Sequence, residues 1–363
     1  NQGVTYLGEL SQEEISEFFA AEDKMKHVIA ARKAPNFGNI FIPELLNFLD
    51  HPYYEVRGYA AKSLATLGHQ PAVPQLIPLL FDEVEEVRFS AAQSLGEFQE
   101  ESVIKPLLQA LSDHSRETRR LATQSLAKQQ PSALFEQIQG WLDSITPEDY
   151  DMETEEAIFK VDVGRGIMEA CTEFTYTWVP TILEFGITSP DLEMVRMAII
   201  SIGNRQDEEF IDVILARKEE TDDDLRLAIV YAMTKLPIPD KMEVLLSYHD
   251  DPYEFIRQQL AAYLPTEYAY ENVKTEINEL ATDPVPFVRS ALAEAMAAEA
   301  YLDVLAELLY DSNSFVRQAT MKSLARIPTK PALELLQSSP DEDELVEIAR
   351  HNAIEDHPVN FTT

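Results

Sequence analysis

The sequence predicts an all-α fold, a solenoid of about ten two-helix repeats closed by polar caps. Three observations carry that expectation. A short pattern built on one aspartate and one arginine recurs, for most of its copies, at a step of about 31 residues, and a fixed period of 20 to 50 residues is the signature of a repeat array. Between its copies lies a second pattern of leucine and isoleucine at steps of three and four, the period of a helix with one buried face. Hydrophobic residues make up 45% of the 363, ample for a core that runs the length of one elongated domain.

The N-terminal segment LSQEEISEFFAAEDKMKHVIAARKAPNFGN places Ser11 before acidic residues and an apolar stripe of Ile15, Phe18, Phe19 and Met25. That is the grammar of a capped helix. Residues 1–39 are therefore expected to form a helical cap that closes the open end of the stack, with the repeat array at 40–363.

The repeat is clearest in DEVEEVRFSAAQSL, where Asp82 precedes Arg88 by six residues and Leu95 follows it by seven. Arg57 with Leu64 and Arg119 with Leu126 repeat the pattern upstream and downstream, and further copies centre on Arg165, Arg196, Arg226, Arg257, Arg289 and Arg317. A last copy, DEDELVEIARHNAI, keeps Asp341 and Ile354 but has Glu347 where the arginine is expected, which suits a polar C-terminal cap.

Each copy is expected to be the second helix of a pair, the first being the apolar stretch before it, as in FIPELLNFLD or SVIKPLLQALSD. On the second helix the arginine and the residues three, four and seven after it share one side, as do Arg57, Ala60, Ala61 and Leu64. Small residues there let helices approach closely. The aspartate belongs to the turn before the helix, where it can accept free backbone N–H groups. Pro52, Pro252 and Pro284 are expected in the first turn of these helices.

Asp, five residues, Arg, then small residues and Leu resembles the HEAT repeat, in particular the short bacterial subtype of the phycobilin lyases, over roughly residues 40–356. The resemblance implies a right-handed α-solenoid with second helices on its concave face. It also implies a side-chain ladder pairing Asp82 with Arg88, Asp113 with Arg119, Asp251 with Arg257, Asp283 with Arg289 and Asp311 with Arg317. It is informative for fold and much less so for function.

One step breaks the period. Arg119 to Arg165 is 46 residues, so an acidic insertion falls near 143–162 and carries Glu148, Asp149, Asp151, Glu153, Glu155 and Glu156. It reads either as a hook for a basic ligand or as a solvated loop. Asp143, 30 residues after Asp113, is expected to be the displaced ladder acid.

Positions one and five after each arginine point away from the buried seam. These two rows contain a single acid, Glu294, in a chain with 29 Lys and Arg against 64 Asp and Glu, a net charge of −35. Phe89, Arg120, Gln124, Met197, Leu227, Tyr231 and Gln258 are the candidate partner-binding residues of this face. Packing between repeats is the competing account of the same rows.

Catalytic signatures are missing from the sequence. GRG at 164–166 lacks the spacing of a phosphate loop, one cysteine cannot build a thiolate zinc site, and the His-Glu dipeptides of the iron-binding HEAT-repeat hydroxylases do not occur. His51, His114 and His249 adjoin ladder acids, where capping accounts for them. No cofactor and no metal are expected.

The acidity argues against nucleic acid and membrane as partners. A single Cys171 and the lack of any long apolar run point to a cytoplasmic chain. The triplet NFT at 360–362 matches a glycosylation acceptor, a motif short enough to arise by chance. The expected function is a non-enzymatic scaffold, an adaptor, chaperone or inhibitor, holding a protein or peptide with basic regions in its groove. The alternative implied by the resemblance is a phycobilin lyase or tetrapyrrole chaperone.

Overall fold

The structure is a computed structural model and describes residues 10–361; Thr362 of the NFT triplet lies outside them. All its regular elements are helical. The chain divides into two compact units, residues 1–201 and 202–363.

Unit 1 runs α1 (Gln12–Phe19), α2 (Lys24–Lys33), α3 (Ile42–Phe48), α4 (Tyr54–Thr66), α5 (Val73–Leu76), α6 (Glu85–Leu95), α7 (Ile104–Gln109) and α8 (Arg116–Leu126). It continues through α9 (Pro131–Asp143), α10 (Glu155–Ala170), α11 (Val179–Ile187) and into α12 (Leu192–Arg205). Unit 2 holds α13 (Ile211–Ala216), α14 (Asp223–Lys235), α15 (Lys241–Leu246), α16 (Glu254–Glu267) and α17 (Tyr270–Ala281). After these come α18 (Pro286–Ala295), α19 (Leu302–Leu308), α20 (Ser314–Arg326), α21 (Lys330–Ser338) and α22 (Glu344–Glu355).

The even-numbered helices from α4 onward are the ten expected second helices, and α2 precedes them in the same register. Prolines shape the odd ones. Pro71, Pro74 and Pro78 each withhold an N–H, and α5 survives as a single α-turn between 3₁₀ segments. Pro52, Pro252 and Pro284 sit in the turn two residues ahead of the second helices, not in their first turn.

The buried seam forms as its period requires. Ala60, Ala61, Leu64, Ala91, Ala92 and Leu95 are wholly buried. A second set of ties was not legible in the pattern. Six residues after the arginine position, Ser63, Ser125 and Ser323 donate from Oγ to backbone carbonyls of the preceding second helix, Ala31 at 2.6 Å, Ala92 at 2.8 Å and Ala293 at 2.5 Å.

The ladder exists, but its pairing differs from the one implied by the resemblance. Five arginines fork onto the aspartate of the following repeat: Arg57 on Asp82, Arg88 on Asp113, Arg257 on Asp283, Arg289 on Asp311 and Arg317 on Asp341, with N–O distances of 2.5–3.1 Å. Arg226 on Asp251 and Arg165 on Asp191 follow the same rule. The aspartate six residues before an arginine is met at its backbone carbonyl, as Arg88 Nη1 does at Asp82, 3.0 Å away. The aspartate carboxylate is turned into its own turn, accepting the N–H two residues on, as Asp82 does from Val84 at 2.9 Å.

Three further expectations are corrected. Asp143 is not the displaced ladder acid: it is exposed at the end of α9, and Arg119 pairs with Glu169 at 3.3 Å. Arg196, expected at the centre of its copy, is the fifth residue of α12 and not the fourth. In α6, α8, α16, α18 and α20 the ladder residue is the fourth of a helix that starts three residues after the aspartate, whereas α12 starts directly after Asp191. Val195, fully buried, therefore takes the slot, and Arg196 falls one place on, donating to Glu193 in its own helix at 2.5–2.7 Å. Finally, Met25 does not join the apolar stripe; it lies on α2 and is exposed, while Ile15 and Phe18 are buried and Ser11 makes the expected capping box with Glu14.

Candidate interaction surface

At 100° per residue, the positions two before, one after and five after the ladder residue lie within a 60° arc opposite the seam. None of the seven candidate residues is buried. Arg120 and Gln124 are exposed, and Phe89, Met197, Leu227, Tyr231 and Gln258 are half-buried. The rows are not uniform. Gly166 and Ala170 are buried, and a Cβ on Gly166 would come within 2.5 Å of the Leu111 carbonyl oxygen; Ser201, six after Val195, is buried in the position of Ser63 and donates to the Met168 carbonyl at 2.6 Å. In α10 packing between elements governs these positions.

In unit 1, α4 and α6 enclose a cleft of about 180 Å³ between Gly58, Tyr59, Lys62 and Phe89. Gly58 leaves room for it, since a side chain there would reach to 3.3 Å from Ser90 Oγ. The Lys62 ammonium lies 5.6 Å from the centre of the Phe89 ring, and burial holds its pKa below the ordinary lysine value. Arg120 forks onto Glu117 at 2.6–2.9 Å. In unit 2, the Tyr231 hydroxyl donates to Asn204 Oδ1 at 2.6 Å and Lys235 caps the ring at 5.6 Å.

The third row, two before the ladder residue, was missed in the sequence, although the same helical period places it on this face. In unit 1 it reads Glu55, Glu86 and Glu117; in unit 2, Asp224, Phe255, Phe287 and Phe315. The face is thus more acidic in unit 1 than two rows suggested.

The acidic insertion is only partly a loop. Residues 144–154 connect α9 to α10, while Glu155 and Glu156 belong to α10 itself and lengthen it. Thr146 and Asp149 close a capping box, with the Thr146 N–H donating to Asp149 Oδ2 at 2.8 Å. That N–H, with Lys160 nearby, holds the Asp149 carboxyl below its ordinary pKa. Glu148, Asp151, Glu153, Glu155 and Glu156 are exposed and Asp149 half-buried. Beside them, α7, α9 and α10 line a cleft of about 600 Å³ that includes Lys105, Trp141, Phe159 and Lys160. The Trp141 indole N–H donates to the Lys160 carbonyl at 3.2 Å, which fixes one wall.

Among the described residues no group of three or more His, Cys, Asp and Glu side chains is placed to hold a metal ion. Among the described residues no helix is long and apolar enough to cross a membrane.

Paired helices, a buried small-residue seam and an interlocking Asp–Arg ladder define an all-α solenoid of HEAT-like repeats. The family described as HEAT repeats matches residues 42–127. Among solved structures the chain is similar to a Kap121p mutant, at TM-score 0.58 and 12% identity, covering 94% of this chain and 45% of that one. It is likewise similar to Kap121p bound to Pho4p, at TM-score 0.57 and 12% identity over 94% and 45% of the two chains. The karyopherin Kap121p bound to the SUMO protease Ulp1p gives TM-score 0.57 and 11% identity, over 94% and 44%. This chain thus spans less than half the length of those neighbours. No curated protein matches it by sequence.

Proposed function

We propose that the chain is a non-enzymatic scaffold that holds a polypeptide with basic regions against the solvent faces of its second helices. The observation that carries this reading is the accessibility of Phe89, Arg120, Gln124, Met197, Leu227, Tyr231 and Gln258 on helices whose seam residues are wholly buried. Apolar anchors beside polar neighbours suit a peptide or protein ligand. Neighbours of the same fold described as bound to Pho4p and Ulp1p support a protein partner, and the net charge of −35 favours a cationic one. In this reading residues 1–39 cap the array, residues 40–363 form it, and the protein works in the cytoplasm.

The test is affinity capture from native lysate at low and high salt, comparing the wild type with Phe89→Ala/Leu227→Ala/Tyr231→Ala. A partner retained by the wild type and lost by the triple variant supports the scaffold. Capture that is indifferent to the substitutions and abolished by salt removes it. A linear tetrapyrrole added to the purified protein addresses the lyase alternative, which an unchanged visible spectrum would eliminate.

A further inference from the structure

Unit 2 carries a row of large apolar side chains in solvent. Phe255, Phe287, Phe315 and Leu345 are each the second residue of their helices, α16, α18, α20 and α22, and are 44%, 37%, 70% and 66% exposed. The ladder explains why they align. Arg257–Asp283, Arg289–Asp311 and Arg317–Asp341 hold successive helices in one register, so a residue two places before the ladder position recurs at the same point of each. The row has contact within it: the Phe255 and Phe287 rings stack at 5.4 Å with a 24° interplanar angle, and Tyr253 extends it at 5.2 Å from Phe255. Ile348, one turn beyond Leu345, is 50% exposed.

Packing of the repeat does not require aromatics here. Unit 1 has Glu55, Glu86 and Glu117 at the equivalent positions of α4, α6 and α8, so the site accepts a charged side chain in the same local geometry. An exposed apolar row that recurs from helix to helix and that the fold does not need is the mark of an interaction surface.

We infer that this ridge docks a cationic amphipathic polypeptide segment, one with a continuous apolar edge flanked by lysine or arginine. The inference rests on the scaffold reading and names its partner's chemistry. Charge decides among occupants. Asp224 begins the row, its carboxylate accepting the Tyr253 hydroxyl at 3.0 Å, Glu254 adjoins Phe255, and Asp343 and Glu344 precede Leu345. Residues 202–363 hold 14 Lys and Arg against 32 Asp and Glu, and Arg226, Arg257, Arg289 and Arg317 are spent in ladder pairs. An anionic bilayer or a second copy of this chain would meet like charge; a basic segment meets the opposite sign while burying its apolar edge.

Fluorescence anisotropy of the full chain with two labelled synthetic peptides tests this. Both carry leucine and phenylalanine at helical spacing, one with lysine and arginine on the flanks and the other with glutamate. The basic peptide is expected to bind, with affinity falling about tenfold or more in Phe287→Glu/Phe315→Glu, and the acidic peptide to remain unbound. The variant borrows the residue that unit 1 carries at these positions, and circular dichroism checks that it folds. Failure of the basic peptide to bind, binding unchanged in the variant, or equal binding of both peptides overturns the proposal. So does sedimentation showing a wild-type dimer, or capture by phosphatidylserine vesicles, that the variant loses. A lysate partner kept by the ridge variant and lost by Phe89→Ala/Leu227→Ala/Tyr231→Ala would sink the ridge alone and leave the scaffold standing.

Discussion

Arg257 and Asp283, in consecutive repeats, meet through two parallel hydrogen bonds, Nε to Oδ2 at 2.6 Å and Nη2 to Oδ1 at 3.1 Å. The remaining guanidinium nitrogen, Nη1, donates at 2.7 Å to the carbonyl of Asp251, six residues back along the chain. One planar cation therefore joins two repeats and closes its own turn, a geometry lysine cannot reproduce.

Arg257→Ala is expected to cost about 3–5 kcal/mol, because it strands the buried Asp283 carboxylate. Arg257→Met/Asp283→Leu should recover much of that loss, since no uncompensated charge remains. Urea unfolding of the two variants decides it: equal losses would mean that desolvation is not the cause.

Acid should weaken the C-terminal rungs of the ladder. Hydrogen bonding from Arg317 holds the Asp341 carboxyl below its ordinary value. Burial alone would raise Asp311, but its bonds from Arg289 and the Asn313 N–H outweigh that and lower it. A carboxylate with a depressed pKa contributes stability that is present above the unfolded value, about 3.9, and lost as pH falls through the folded one. The stability of Asp341→Asn should accordingly vary less with pH below about 4 than that of the wild type.

The first rung has a different chemistry and a different pH window. His51 fills the ladder-acid slot, taking the Tyr53 N–H on Nδ1 at 3.1 Å, and His27 of α2 fills the arginine slot, its Nδ1 3.0 Å from His51 Nε2. Burial and then the neighbouring His27 lower the His51 pKa, and Arg57, bonded to its carbonyl, acts in the same direction. A histidine with a depressed pKa favours the fold while neutral. Stability is present above about 6.5 and declines as pH falls below it. The protection of α1 and α2 amides, each rate taken relative to the intrinsic exchange rate at that pH, should fall between pH 7 and 5, and His27→Arg/His51→Asp, which rebuilds the Arg–Asp rung, should abolish that change.

Gly166→Ala should destabilise by roughly 1–3 kcal/mol, since its Cβ would press on backbone at Leu111. Gly140→Ala in α9 meets nothing within 4 Å and should stabilise by up to about 1 kcal/mol. Thermal melting of the pair gives opposite signs if close approach, and not glycine content, sets the effect.

Cys171 is fully buried. Ellman's reagent should modify it roughly a hundredfold or more slowly than in urea-unfolded chain, with the native rate reporting the opening of unit 1. Rapid native labelling would contradict that burial.

Much of this was legible in the residues. The period predicts paired helices and the seam at Ala60, Ala61 and Leu64, because burial on one face leaves a 3.6-residue imprint in any sequence. The aspartate's place in the turn was readable too, since it depends on backbone only two residues away. The row two before the arginine, with Phe255 and Phe287, obeys the same period as the rows one and five after it.

Other features belong to the tertiary structure. Periodicity gives the side of a helix a residue occupies, not the neighbour it meets. Arg88 lies six residues from one aspartate and 25 from another, and only the stacking of helices sends its fork to Asp113, because Asp82 is already committed to its own turn and to Arg57. The same holds for His27 and His51 in the ladder's first rung and for Val195 in place of Arg196. Each turns on a register between helices, and that register is set by how side chains pack across the repeat boundary, a distance in space that the spacing along one chain does not encode.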